Sequence, residues 1–348
     1  MNSPFPNISP GRHRLDFFVE TDCGAVRRMA LPHLVLAGGQ SGPQIAVTAG
    51  QHGREVAGIL ATASVFNALD PSLVCGTIHF FPTLNPLALA IGRQDFPAEE
   101  SRYRKLTIDV ESNLDRLWGG GRQATDPILS ATTRAVWDGC LEGCDAILDL
   151  HAWSRFFCPM AWAHERDAAL IEATGFPWIR LRTDRPEGSL HTLRERAWAS
   201  RKPVVVVELP GQNSASREAM ELGCRTIRNF LAATGSLRES PVLPAGRILL
   251  RGGESDTRIF SDAMGLWSPA VRAGCILSAG DVLGEVLGCS TFEAVRKVVA
   301  PHAGLLGFNG PFLSGEDAQE RQLVYPGEKL AVLHRIDSVQ GEPPVPFF

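Results

Sequence analysis

The sequence predicts an α/β protein with a mixed, mostly parallel sheet covered by helices, followed by a small all-β domain. Strand-like and helix-like segments alternate from residue 14 to about residue 236. Some strand segments are continuous apolar runs, such as the valines at 204–207, as in strands buried on both faces. Beyond the Ser- and Pro-containing segment 236–246, short strands and glycine-rich turns replace this alternation. The change separates a helix-covered sheet from a second, all-β part.

The first domain, predicted to span residues 1–240, contains every helical segment. Residues 14–40 alternate between apolar runs and turns, as in edge or hairpin strands. The later strands are buried apolar runs, and the helices carry apolar residues at helical spacing. Further strands are predicted at 44–50, 76–86 (continuing into a loop), 144–153, 177–182 and 202–211, with helices at 54–69, 128–143, 164–175 and 216–235.

The second domain is predicted at 246–337, with 338–348 as a C-terminal tail. Segments 265–286 and 304–333 each pass from a Gly-Leu pair through a Gly-acidic turn to a short apolar strand. This pattern resembles a lipoyl/biotinyl-like β-sandwich. Lys329 follows one such turn in a strand-forming context and not at an exposed hairpin tip. We therefore expect a structural or access-controlling domain and not a carrier.

Composition narrows the class of protein. The 348 residues are 44% hydrophobic, which is ample for a buried core, and the formal net charge is −4. The sequence contains no basic tract of the kind that binds nucleic acid. The N-terminal segment lacks a signal-peptide pattern, and no apolar run is long enough to span a bilayer. We expect a cytoplasmic protein that binds neither nucleic acid nor membrane, with its eight cysteines mostly buried as free thiols.

The stretch "AVTAGQHGREVAGILA", residues 46–61, carries the first chemical signal. His52 and Glu55 directly follow a predicted buried strand, where loops converge in a parallel sheet. We place them in the first turn of the next helix, where a spacing of three puts both side chains on one face. Both side chains are good zinc ligands. The alternative is an ordinary polar helix start, with Glu55 favoured by the helix dipole.

Two further polar residues end buried strands. His151 follows "ILDL", and Asp149, two residues earlier, points to the same side as a candidate hydrogen-bond acceptor for that imidazole. Glu208 ends the most apolar strand, where burial would raise its pKa and suit a general base. The alternatives are a satisfied buried histidine and a salt-bridged glutamate.

Together these residues predict a zinc hydrolase. His52, Glu55 and His151 would be the protein ligands of one zinc ion per chain, which leaves a position open for water. Glu208 would take the proton of that water. Two histidines and one carboxylate favour zinc over other divalent ions.

The motifs "GQHGREVAG", "DLH" and "VELPG" resemble the succinylglutamate desuccinylase/aspartoacylase family, which has a zinc carboxypeptidase-like fold. The opening motif of this family, Gly-x-His-Gly-x-Glu, is matched from Gly50 to Glu55. The resemblance spans about residues 30–235 and also covers a small appended β-domain. It implies that His151 is the third ligand and Glu208 the catalytic glutamate. The implied reaction is hydrolysis of the amide bond in a small N-acyl amino acid or a related compound.

The same resemblance implies substrate-binding residues in "NLDRLWGG", at 113–120. The family pattern is Asn-Leu-Asn-Arg followed by an aromatic residue, Pro and Gly. Asn113 and Arg116 match, Asp115 replaces the second Asn, and Trp118 with the next glycine stands where the family has Phe-Pro. Since Asp115 would partly neutralise Arg116, we expect a substrate that lacks the usual carboxylate or carries a cationic group.

An oxyanion-side arginine is also implied. Arg93 follows the Asn-Pro pair at the expected place, and Arg104, in a longer segment than usual, competes for the role. Either could instead be a solvated surface residue.

Other functions fit parts of the pattern. A metallocarboxypeptidase acting on peptides would use the same ligands, and a catalytically silent homologue would bind without hydrolysis. A serine hydrolase is disfavoured because no Gly-x-Ser-x-Gly occurs. The expected partner is a small N-acyl molecule, and a homo-oligomer stays open because the sequence does not indicate oligomeric state.

Overall fold

The computed structural model describes residues 8–22, 26–96, 110–183, 191–252, 256–311 and 322–347. These residues form two compact units. The first comprises the described residues within 1–152, 161–176 and 184–243, and the second those within 153–160, 177–183 and 244–348. The predicted limits, two domains at 1–240 and 246–337 and a C-terminal tail at 338–348, stay our proposal.

The first unit alternates strands and helices, as predicted. Where a strand or helix was predicted, the structure has one within a few residues of the predicted limits. The strands are β1 Gly11–Asp22, β2 Val26–Ala37, β3 Gln40–Ala49, β4 Cys75–Phe81, β5 Val110–Glu111, β6 Gln123–Ala124, β7 Ala146–Trp153, β8 Met160–His164 and β10 Val204–Pro210, and the helices are α1 Val56–Ala68, α2 Pro86–Ala90, α3 Pro127–Gly139, α4 Ala168–Ala173, α5 Leu193–Ala199 and α6 Arg217–Ala233.

The main sheet of this unit is mixed, which confirms the predicted α/β class. Its strands lie in the order β1-β2-β4-β3-β7-β10-β8. β1 and β2 form the predicted hairpin and are antiparallel in full register, and β2 is antiparallel to β4. β3 pairs in parallel with β4 on one side and with β7 on the other. The carboxyl ends of these parallel strands therefore meet at one edge.

Helices cover both faces of this sheet. Strands β3, β7 and β10 contribute alternate residues to one buried cluster with α3 and α5, which includes Ala46, Ile147 and Val206. On the opposite face, α1 and α6 approach closely through glycines. A Cβ on Gly58 would lie 2.9 Å from the Leu150 Cβ, and one on Gly223 would lie 3.1 Å from the Leu209 side chain.

Several elements near the site were not predicted, among them β8 and α5. β8 follows β7 after a short connection that contains Phe156, Phe157 and Pro159. α5 begins with a capping box, in which the Thr192 and Glu195 side chains exchange hydrogen bonds with each other's backbone. The Thr-x-x-Glu pattern of this box is visible in the sequence and predicts a helix start.

The second unit consists of β-strands. They are β9 Trp178–Arg182, β11 Gly246–Arg251, β12 Thr257–Phe260, β13 Gly265–Pro269, β14 Ile276–Leu277, β15 Val282–Leu287, β16 Ala294–Val299, β17 Gly304–Asn309, β18 Leu323–Val324, β19 Lys329–His334 and β20 Ser338–Gly341. Two antiparallel four-stranded sheets have the orders β12-β19-β17-β14 and β16-β15-β13-β18, and β9, β11 and β20 form a further ladder. The likeness to a lipoyl/biotinyl-like sandwich stays a prediction. Residues 338–348, predicted as a tail, include strand β20.

Two further sequence predictions concern helices and thiols. Among the described residues, no helix is both long and apolar enough to cross a membrane. The described cysteines are free thiols, and only Cys289 among them is exposed.

A pair of buried histidines joins β2 to β4. His33 Nε2 lies 3.1 Å from His79 Nδ1, and the ring planes differ by only 17°. Cys140 offers a third donor atom nearby, within 4.8 Å. Two imidazole nitrogens at this distance, one protonated and one not, form an N–H···N hydrogen bond. We interpret the pair as a structural hydrogen bond.

This histidine pair predicts a loss of stability in mild acid. Burial, with His79 as a second cause, lowers the pKa of His33 to about 3, and burial lowers the pKa of His79 to about 4, from an ordinary 6.5. Between these values and 6.5 the unfolded chain binds more protons, so stability falls as the pH decreases from 6.5. Denaturant unfolding at pH 6.5 and 4.5 should show a loss of about 2–5 kcal/mol from this pair.

The variant His33→Phe isolates the effect. It removes one of the two titrating groups, so the slope of unfolding free energy against pH should become shallower between pH 4.5 and 6.5. At pH 8 both histidines are neutral, and the variant measured there gives the change that is unrelated to protonation. An unchanged slope would show that the pair does not titrate as described.

Candidate metal centre

The first ligands lie in a tight turn after β3. Gly50 adopts a positive φ of 63°, and a Cβ on Gly53 would come within 2.2 Å of the Ala88 backbone. Both positions therefore require glycine. The turn carries His52 to the carboxyl edge of the sheet and leaves it buried.

The predicted place of Glu55 in the first helical turn is wrong. Helix α1 begins at Val56, and Glu55 is its N-cap, with φ −91° and ψ 61° and no side-chain capping bond. The physical reason is that its carboxylate is engaged elsewhere. Oε2 accepts the backbone N–H of Ala152 at 3.1 Å and faces the ring of His151. A turn, and not a helix face, brings His52 and Glu55 together.

The structure brings the three predicted ligands into one buried group. His52 Nδ1 lies 3.0 Å from Glu55 Oε1, and His151 Nδ1 lies 3.1 Å from Glu55 Oε2. The two Nδ1 atoms are 3.3 Å apart. A donor atom from each residue lies within 4.8 Å of the others, and all three residues are buried.

Each imidazole also has a polar partner at Nε2, the ring nitrogen that faces away from the group. His151 Nε2 lies 3.0 Å from Asp149 Oδ2, which can only accept, so this nitrogen carries a proton. His52 Nε2 lies 3.0 Å from Asn113 Oδ1, which also accepts the backbone N–H of Asp115. These partners place the N–H on Nε2 of both rings and leave both Nδ1 atoms to face the group.

Several supporting side chains were not predicted. Asp149 Oδ1 accepts from Thr48 at 2.7 Å, and Oδ2 accepts from Gln51 at 2.8 Å. The Gln51 carbonyl in turn accepts the indole N–H of Trp118 at 2.7 Å. Gln51 could have been identified from the sequence, because it adjoins His52 in the motif. The sequence around Gln51 does not indicate its hydrogen-bond partner Trp118, which lies 67 residues away.

Glutamine amides also hold Glu55. Gln94 Nε2 donates to Glu55 Oε1 at 3.0 Å. Gln212, which follows the "VELPG" motif, donates to the Ala152 carbonyl at 2.9 Å and lies 3.4 Å from Glu55 Oε1. The carboxylate is thereby fixed in orientation from more than one side.

Burial and charge oppose each other in this group. Burial by itself lowers the pKa of His52, but the Glu55 carboxylate outweighs it and raises the pKa to about 10. Burial likewise opposes the charge of His151, whose pKa Asp149 and Glu55 nevertheless raise. Burial disfavours the charge of Glu55, yet the two histidines hold the pKa of this carboxyl well below its ordinary range. The site thus has a strong preference for positive charge.

These features fit a divalent cation. Two imidazole nitrogens and a carboxylate converge within a few ångströms, and their lone pairs repel one another unless a proton or a cation lies between them. The same donors are good zinc ligands, and a cation replaces those protons when it binds. The three ligands would be His52, Glu55 and His151.

Glu208 lies at the carboxyl end of β10, near this group. His151, Glu55 and His52 all influence its charge. Burial, the largest cause, raises the pKa of Glu208 to about 8. Its Oε2 is buried and has no hydrogen-bond partner among the described residues. A buried carboxyl oxygen without a partner is costly, which argues against a purely structural role.

The loop with the predicted substrate residues contributes unequally. Asp115 has a carboxylate oxygen within 4.8 Å of an Asp149 oxygen and a His151 ring nitrogen. Burial, reinforced by Asp149, raises the pKa of Asp115. The Arg116 side chain is 57% exposed, and its Nη1 lies 3.8 Å from Glu111 Oε2. The structure thus brings Asp115, and not the Arg116 guanidinium, next to a ligand histidine.

Of the two candidate oxyanion arginines, the structure describes only Arg93. Arg93 is exposed, and its backbone N–H donates to the Ala88 carbonyl just after α2. Arg104 lies outside the described residues.

Fold and site together define a class: an α/β protein with a His-Glu-His group at the carboxyl edge of its parallel strands and, beside it, a glutamate whose Oε2 has no hydrogen-bond partner among the described residues. The chain belongs to the succinylglutamate desuccinylase/aspartoacylase family. The model of the family's catalytic domain matches residues 41–234, more than half of the chain. This result confirms the resemblance drawn from the motifs.

Individual relatives extend over nearly the whole chain. The N-alpha-acetyl-L-2,4-diaminobutyric acid deacetylase of Halomonas elongata is 26% identical over 297 residues, which cover 81% of this chain and 80% of that protein. The ectoine utilization protein EutE (DoeB) of Ruegeria pomeroyi has a similar fold, with a TM-score of 0.74, 20% identity and coverage of 96% and 99%. A succinylglutamate desuccinylase/aspartoacylase of Rhodobacter sphaeroides matches with a TM-score of 0.72, 18% identity and coverage of 96% and 97%.

Proposed function

We propose that the protein hydrolyses the amide bond of a small N-acyl amino acid or a related compound, with one zinc ion per chain. The observation that carries the proposal is that the His52, Glu55 and His151 donor atoms lie near the Glu208 carboxyl, whose Oε2 has no hydrogen-bond partner among the described residues. The name of the Halomonas elongata relative, a deacetylase acting on an acetylated diamino acid, supports the same reaction type.

The proposed mechanism assigns proton transfer to Glu208. When bound, zinc would act as a Lewis acid toward the amide carbonyl and would stabilise the developing negative charge. Glu208 accepts a proton from the attacking water on its unpartnered oxygen and then delivers it to the leaving amine nitrogen. Asp149 and Asn113 keep the two imidazoles oriented throughout.

We further propose that the substrate carries a cationic ammonium group in addition to the amide nitrogen, as N-acyl diamino acids do. Asp115 places a second carboxylate beside Asp149 in a partly buried site, and such a pair favours a bound cation. Arg194 acts on Asp115 electrostatically as well, so its charge is compensated in part by the protein. An N-acyl diamino acid has the required ammonium group, and it is the type of compound named for the Halomonas elongata relative.

A substrate panel tests the reaction and the substrate class separately. Zinc-loaded protein is assayed for amine release from N-acetyl diamino acids, N-acetyl neutral amino acids of equal length, N-succinyl glutamate and short peptides. Asp115→Asn should lower kcat/KM for the diamino substrates by about 10-fold or more relative to the neutral ones, because a charged hydrogen bond is lost.

Each other outcome has a distinct meaning. An unchanged ratio for Asp115→Asn overturns the substrate class and leaves deacylation intact. Cleavage of peptides alone identifies a metallocarboxypeptidase. Metal binding without turnover of any compound identifies a silent binding homologue. The cytoplasmic location stays a prediction of the sequence, and a homo-oligomer stays open.

A further inference from the structure

Trp118 is fixed in the core through its backbone and presents one polar atom. Its backbone N–H donates to the His191 carbonyl at 2.9 Å, and its carbonyl accepts from Arg196 Nη1 at 2.7 Å. The side chain is fully buried, and its indole N–H donates to Gln51 Oε1 at 2.7 Å. An anchored indole can donate in only one direction, toward Gln51.

This bond sets the orientation of the Gln51 amide. With Oε1 facing Trp118, the amide nitrogen faces Asp149 Oδ2 at 2.8 Å. A flipped amide would place its oxygen against the carboxylate and its NH₂ group against the indole N–H. Both contacts would then pair like with like, and Gln51 is completely buried, so water cannot relieve them.

The orientation of Gln51 determines how Asp149 is satisfied. Asp149 is buried. Thr48 donates to its Oδ1, and Gln51 Nε2 and His151 Nε2 both lie within hydrogen-bond distance of its Oδ2. Burying a carboxylate without such donors is costly. Held by these donors, Asp149 lies against Nε2 of His151, so that Nδ1 faces Glu55.

The same loop also supports the other imidazole. Asn113, five residues before Trp118, faces His52 Nε2 at 3.0 Å. The segment 113–118 therefore holds both ligand histidines from behind, one directly and one through Gln51 and Asp149.

We propose that Trp118 is a positioning residue that, through Gln51 and Asp149, holds the His151 imidazole ready to bind metal. This inference rests on the proposed metal-dependent function. It assigns a role in metal affinity to an apolar-looking core residue outside the ligand motif.

The test compares two tryptophans of the same hydrophobic cluster. Trp118 and Trp198 are both buried, but the indole N–H of Trp198 has no partner among the described residues. Trp→Phe at either position removes similar volume, whereas only Trp118→Phe removes a hydrogen bond. Zinc affinity is measured by chelator competition on the full chain. We expect Trp118→Phe to weaken binding about 10-fold or more, and Trp198→Phe to change it less than about 2-fold.

A second variant keeps the result decisive. Gln51→Met removes the linking amide at similar volume and should weaken zinc binding as Trp118→Phe does. If Trp118 acts through Gln51, the double variant binds zinc like Gln51→Met alone. Melting temperatures of all variants show whether they are folded, and if Trp118→Phe is unfolded, Gln51→Met carries the test.

The outcomes separate this inference from the proposed function. Equal zinc affinities for Trp118→Phe and Trp198→Phe, or effects of Trp118→Phe and Gln51→Met that add fully, overturn the positioning role. If Gln51→Met alone is tested, wild-type affinity overturns it. A wild-type protein that binds no zinc overturns the proposed function first.

Discussion

Glu208→Gln is expected to lower kcat for amide hydrolysis by about 10³-fold, the middle of the range for loss of a general acid–base. The carboxyl is the proposed carrier of the proton from water to the leaving amine, and an amide cannot accept that proton. The shape of the side chain is retained, so KM and zinc content should change little. The measurement is steady-state kinetics on the zinc-loaded protein, with zinc quantified in the same samples.

The stability of this variant gives an independent check. Oε2 of Glu208 is buried without a partner among the described residues, and burial raises the pKa of this carboxyl to about 8. Above pH 8, where the carboxyl is charged, a neutral amide is less costly to bury, so the melting temperature measured there should stay equal or rise. Glu239→Gln, at a half-buried glutamate that pairs with Arg228, controls for the substitution itself. A kcat above about one tenth of wild type would assign the proton transfer to another group.

The group of candidate metal ligands was predictable because its two histidines lie at or just after the carboxyl ends of buried strands. Where strands and helices alternate along the chain, the strands pair in parallel, and their carboxyl ends lie at one edge of the sheet. His52 and His151 are far apart in sequence, yet β3 and β7 are direct neighbours in the sheet. Apolar strands that end in a polar residue are therefore a strong signal, and they locate a site without any knowledge of the loops.

The surroundings of the ligands were less predictable. The turn before α1 is shaped by contacts of Gly53 with Ala88 and by bonds between Glu55 and distant backbone, which local periodicity does not register. The contact between Trp118 and Gln51 joins a loop to a strand end, and its hydrogen bond requires an indole at that position. Long-range pairings of this kind depend on how loops pack over the sheet.

Asp115 illustrates a partial success of the sequence. Its departure from the family pattern was visible, and the structure places its carboxylate near Asp149 and His151. The family pattern also implied a substrate role for the neighbouring arginine. Arg116 is largely exposed and lies near Glu111, so one residue of the motif faces the ligand group and the next faces solvent. A three-residue 3₁₀ turn, Leu114–Arg116, separates their directions.

His52→Ala is expected to remove the metal and, with it, the activity. One of three protein ligands is lost, which should weaken zinc binding by more than the roughly 10–100-fold seen for second-sphere partners. The fold should survive, because Asn113 Oδ1 still accepts the Asp115 N–H when the imidazole is absent. Zinc content after dialysis should fall from one per chain to near zero, and amine release should fall with it.

The dependence of the melting temperature on zinc concentration distinguishes a lost metal ligand from a damaged fold. Zinc that binds only the native state raises the melting temperature of the wild type with zinc concentration, and this rise should be absent or shifted to much higher concentration in His52→Ala. Partial recovery of amine release at high zinc would show that affinity, and not folding, is impaired. His13→Ala, on strand β1, controls for adventitious binding and should keep the wild-type response. Full zinc retention by His52→Ala would mean that the cation binds elsewhere, because the proposed three-ligand site is lost once that imidazole is gone.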